Sequence, residues 1–82
     1  MINPSEEQIS QVVALIKRKD PKVGVHVLRF IGDFRKEYVI SKYKNEYAIE
    51  TGNLYDSVIF KGDVRQIAKH ALQLGIEISK VR

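Results

Sequence analysis

The chain has 82 residues, 44% hydrophobic and 29% charged, a composition that supports one hydrophobic core and excludes both disorder and a second domain. It contains no cysteine, which excludes disulfides and thiolate metal sites and leaves packing to hold the fold. The formal net charge of +4 is concentrated between residues 21 and 45, where Lys22, Arg29, Arg35, Lys36, Lys42 and Lys44 outnumber Asp33 and Glu37, a bias toward acidic partners.

The first residues, Met1 to Gln8, lack the cationic start and apolar run of a secretory signal, and no apolar stretch approaches the ~18 residues of a membrane span. A cytoplasmic location with no membrane partner is the expectation. Ser5 followed by Gln8 reads as a capping box that opens a helix. Ile9, Val12, Val13 and Ile16 then fall on one stripe, and Lys17, Arg18 and Lys19 suit the carbonyl end of the helix before Asp20-Pro21 stops it.

Residues 23 to 51 predict three antiparallel strands joined by two-residue turns at Gly32-Asp33 and Lys44-Asn45. In that register Val23, Val25, Val27, Tyr38, Ile40, Tyr47 and Ile49 form the core face. The reverse face then collects His26, Leu28, Phe30, Arg35, Glu37, Val39, Ser41, Tyr43, Ala48 and Glu50. A one-residue change in either loop would exchange the two sets on that strand.

Gly52 to Asp56 reads as a loop and Ser57 to Lys61 as a short fourth strand. Asp63 with Gln66 predicts a second capping box, followed by a helix whose apolar face holds Val64, Ile67, Ala68, Ala71, Leu72 and Leu74. Gly75 is the C-cap signal, and Ile76 to Val81 alternates as a short final edge strand would. The expected architecture is one two-layer α+β domain: an N-terminal helix, an antiparallel three- or four-stranded meander, a C-terminal helix and this optional last strand.

Catalysis finds little support. No serine sits in a glycine-flanked elbow, and His26, expected with Val39 between it and Glu50, lies on a flat face without a pocket. Two unrelated histidines and scattered carboxylates make no metal-ligand set, and the isolated glycines make no phosphate loop; neither enzyme activity nor a metal or cofactor is expected.

Binding is the remaining class. Arg29, Phe30, Phe34, Arg35, Lys36, Lys42, Tyr43 and Lys44 interleave cations with aromatics, the combination that phosphate contact and base stacking require. The nucleic-acid candidates are Arg29, Phe30, Arg35, Lys36, Lys42, Tyr43 and Lys44, although Glu37 and Glu50 on the same sheet oppose a phosphate backbone. The alternative is a protein-interaction or homodimerisation face built from His26, Leu28, Phe30, Val39 and Tyr43.

Overall fold

The computed structural model describes residues 3–19, 26–51 and 58–81. It shows the expected α+β order: helix α1 (Glu6–Lys19), strands β1 (His26–Ile31), β2 (Glu37–Tyr43), β3 (Glu46–Thr51) and β4 (Val58–Gly62), and helix α2 (Val64–Gln73). The strands form one antiparallel sheet in the order β1-β2-β3-β4. The expectations placed on Val23, Val25, Asp20-Pro21, the loop at 52 to 56 and Ser57 lie outside the described residues.

Both capping boxes form. The Gln8 amide donates to the Ser5 hydroxyl at 3.1 Å while the Ser5 amide donates to the Gln8 side chain at 3.0 Å. At α2 the Gln66 amide donates to Asp63 at 2.9 Å and the reciprocal bond is 3.0 Å. α2 ends at Gly75 (φ 98), whose amide reaches Leu72 O while the Ile76 amide reaches Ala71 O, so the last carbonyls are satisfied by a Schellman turn.

The helices lie against each other and against one sheet face, α2 over β3 and β4, α1 over β1. Ala68 and Ala71, both fully buried, keep α2 close to its neighbours, and Ile9, Val12, Leu15 and Ile16 supply the buried side of α1. The Arg65 guanidinium pairs with Glu6, tying the first turns of the two helices together at the surface. No helix among the described residues is long and apolar enough to cross a membrane.

The second hairpin has the expected two-residue loop: Tyr38 faces Thr51 and Ile40 faces Ile49, and Lys44 takes the positive φ of 58. The first hairpin does not. Five residues, Gly32 to Lys36, separate the paired Ile31 and Glu37, so Phe30 faces Tyr38 and Leu28 faces Ile40. This corrects the expectation that Leu28 and Phe30 belong to the reverse face: both are buried under the helices, and Phe30 stacks on Tyr38 with ring centroids 5.3 Å apart. Burying a leucine and a phenylalanine stabilises by roughly 1.5–3 kcal/mol each, which decides the register against the two-residue turn. An irregularity between His26 and Leu28 lets Val27 reach the core as well.

The C-terminal segment does not form the expected edge strand. Ile78–Lys80 is a 3₁₀ turn, and Ile76, Ile78 and Val81 pack onto the core beside α1. The alternating apolar residues find partners as well from a turn as from a strand.

Candidate functional site

Among the described residues, the expected binding residues fall on the helix-free face of the sheet and at the end where β1 turns into β2, apart from those that the core takes. On the helix-free face, cross-strand pairing gives two central rows, Arg29-Val39-Glu50-Val58 and His26-Ser41-Ala48-Lys61, with Ile31 facing Glu37 beyond one and Tyr43 facing Glu46 beyond the other. The polar groups here largely engage one another. Arg29 Nη1 lies 2.9 Å from Glu37 Oε1, and the Tyr43 hydroxyl donates to Glu50 Oε2 at 2.5 Å. That hydrogen bond bridges the intervening row, so the phenol lies across Ser41 and Ala48, both fully buried; the Ser41 Oγ is near enough to act on the phenol but makes no hydrogen bond of normal geometry among the described residues.

The Glu50 carboxylate raises the Tyr43 pKa above the usual 10, first by accepting its proton in a hydrogen bond and then, after partial burial, by charge; the Ser41 hydroxyl pulls weakly the other way. Val39 is buried between its long neighbours Arg29 and Glu50. Of the expected interface set, then, Leu28 and Phe30 face the core, Val39 is covered in place, and His26 and Tyr43 remain at the surface. His26 stands in the Ser41 row rather than beside Val39, and the Glu50 carboxylate is held by Tyr43, so the sheet does not assemble the reachable His26/Glu50 pair.

With Glu37, Glu46 and Glu50 against Arg29 and Lys61, this face carries more carboxylates than fixed cations, which disfavours a phosphate backbone. The exposed apolar side chains Ile31 (62%), Ile59 (49%) and Val58 (37%) lie along its two edge strands.

The β1-β2 end is different in character. Gly32 is extended (φ −96), and its close approach is to α2: a Cβ there would run into the Leu74 carbonyl oxygen and come within 3.0 Å of the Tyr38 ring. The Asp33 amide donates to that same Leu74 oxygen at 2.8 Å, and Gly75 leaves room for the Asp33 carboxyl, 2.6 Å from where a Cβ would stand. The Gly32 amide is bonded to Lys36 O at 2.8 Å, closing the loop. Between these fixed points Phe34 (φ 59, ψ 23) and Arg35 (φ 58) occupy the left-handed region, which costs a non-glycine residue roughly 1–2 kcal/mol.

The consequence is a phenylalanine ring 98% exposed to solvent. Arg35 and Lys36, both exposed, stand next to it, and among the described residues neither has an ion-pair partner. Beneath the ring a groove of about 350 Å³ runs between the loop and the end of α2, lined by Asp33, Phe34, Lys36, Tyr38, Gln73 and Leu74.

The seven expected nucleic-acid residues are therefore dispersed. Arg35 and Lys36 meet Phe34 at one end of β2; Tyr43 and Lys44 lie at the other, on the order of 20 Å away along a seven-residue strand. Lys42 lies over the Tyr47 ring, 5.7 Å from its centroid, Arg29 is paired with Glu37, and Phe30 is in the core. Phe34 was legible only as part of the cation and aromatic run; its full exposure follows from a left-handed backbone that its residue type does not announce. The chain matches no family model, no curated protein and no solved structure.

Proposed function

We propose that this chain is a small non-catalytic binding domain that contacts single-stranded nucleic acid through its β1-β2 end. The observation that carries the reading is Phe34: a wholly exposed aromatic ring, held in an unfavourable backbone conformation by a docked loop, with two exposed cations as its sequence neighbours. Strain retained at a surface position points to use. A stacked base contributes about 1–3 kcal/mol by alanine substitution, and Arg35 and Lys36 supply the phosphate contacts that set the salt dependence.

Fluorescence anisotropy with single- and double-stranded oligonucleotides at low and moderate salt tests this. The single strand is expected to bind, with a log K against log salt slope of about −1.4 if two phosphates are neutralised. Phe34→Ala is expected to weaken binding roughly tenfold without loss of stability, since the ring touches almost nothing. Salt-independent binding, or equal affinity of wild type and Phe34→Ala, overturns the assignment.

A second reading rests on the other surface. Ile31, Val58 and Ile59 are exposed along the sheet edges while Arg29-Glu37 and Tyr43-Glu50 hold their charges within the face, which suits a protein partner or a second copy. Light scattering decides it for self-association: a monomer at high concentration, or an oligomer unaffected by Ile59→Glu, removes it.

A further inference from the structure

We infer that the groove beneath Phe34 reads guanine in a single strand, an extension that rests on the nucleic-acid reading above. The backbone donors at the foot of the groove are taken. The amides of Gly32, Asp33, Leu74, Gly75 and Ile76 are all spent, on Lys36 O, Leu74 O, His70 O, Leu72 O and Ala71 O respectively. What remains on its walls is the Asp33 carboxylate, in no hydrogen bond among the described residues, the Gln73 amide, the Tyr38 hydroxyl, the Lys36 ammonium, and the carbonyl end of α2, which carries the negative pole of the helix dipole.

The Asp33 carboxylate and the carbonyl end of α2 repel a phosphate from their wall. A base that sets its edge against that wall must bring donors of its own. Guanine presents two adjacent donors, N1–H and N2–H, matched to the two oxygens of one carboxylate, and beside them the O6 acceptor, which the Gln73 amide N–H can serve. Adenine and cytosine each set a ring-nitrogen acceptor beside their amino group, and uracil flanks its single N–H with carbonyls, so each would bring a lone pair against the Asp33 carboxylate. Phe34 then covers the face of the base, Arg35 outside the groove takes one flanking phosphate, and the exposed Lys36, whose stem lines the groove, bends its ammonium out to the next.

The test is anisotropy on a uridine-only strand and on the same strand carrying one central guanine or one central adenine. The guanine strand is expected to bind about tenfold tighter than either, the discrimination a bidentate base contact supplies. Asp33→Asn, which keeps the shape of the side chain, is expected to bring that ratio close to one; thermal melting of the variant reports whether the fold is retained, and Gln73→Leu provides a second variant on the opposite wall. Salt-dependent binding with no guanine preference overturns the base assignment and leaves the nucleic-acid reading standing. Absence of binding to every strand overturns both. Displacement of the guanine strand by an equal concentration of guanosine monophosphate shows that the chain contacts add nothing, and overturns recognition within a strand.

Discussion

Asp33 and Leu74 are joined by a single backbone hydrogen bond of 2.8 Å, and through it the β1-β2 loop is seated on the end of α2. The bond requires the two backbones to approach more closely than a side chain permits, which is why glycines stand at 32 and 75. Gly32→Ala drives a methyl group into the Leu74 carbonyl and the Tyr38 ring, neither of which has room to retreat. A loss of about 1–3 kcal/mol is expected in urea unfolding, as for other overpacked sites, together with weaker oligonucleotide binding as the loop lifts. Gly75→Ala meets the Asp33 carboxyl, which can swing away, and at 2.8 Å the Asp33 backbone nitrogen, which cannot, so an overpacking loss of about 1–3 kcal/mol is expected on top of the roughly 1–2 kcal/mol of the positive φ.

Phe34→Gly separates stability from function. Glycine adopts the left-handed conformation without steric cost, and removing a ring that is 98% exposed forfeits no packing. The variant is expected to be at least as stable as the wild type, by up to about 1 kcal/mol, while losing the stacking contact. Thermal melts and anisotropy on the same preparation check the pair of outcomes. A drop in stability would mean that the ring packs against the protein in solution.

Local chemistry was legible where it was self-contained. The two capping boxes, the Gly75 cap, the Lys44-Asn45 hairpin and the alternation of Tyr38, Ile40, Tyr47 and Ile49 each depend on residues a few positions apart or directly opposed, and each forms as the residue types require. The first hairpin was not legible, because Gly32 reads as a turn residue when its task is to let Leu74 approach, a contact between positions 42 residues apart in the chain. A trace of the correct register was present: Val27 is followed by Leu28 and Phe30, a change of parity that the irregularity between His26 and Leu28 accommodates. The site shifted with the register, from Phe30 to Phe34, since a strand displaced by three residues exchanges its faces.

The Tyr43-Glu50 bond gives the sheet a response to alkaline pH. With its pKa raised above 10, the Tyr43 phenol favours folding while it is protonated; the contribution is complete below pH 10 and lost as pH rises through the folded value. The stability difference between wild type and Tyr43→Phe is therefore expected to shrink above pH 10, and the effect is small because the side chain is 42% exposed and water screens the bond. Glu50→Gln should return the Tyr43 titration, followed by its ring-proton shifts, toward 10. An unchanged titration would show that the bond does not persist in solution.

His70 on α2 packs on Phe60 of β4 with ring centroids 3.5 Å apart, and partial burial, reinforced by the charge of Lys69, lowers its pKa below 6.5. The folded chain thus resists a proton that the unfolded chain accepts. Its contribution to stability is whole above pH 6.5, declines as pH falls from there, and is gone below the folded value. His70→Gln is expected to flatten the loss of stability that the wild type shows on moving from pH 7 to pH 5, measured by urea unfolding at each pH. Lys69→Ala removes the charge but leaves the ring contact, so it should bring the His70 titration only part of the way back toward 6.5. Full recovery in that variant would assign the shift to charge rather than to burial against Phe60, and equal pH profiles for wild type and His70→Gln would show that the contact contributes nothing across that range.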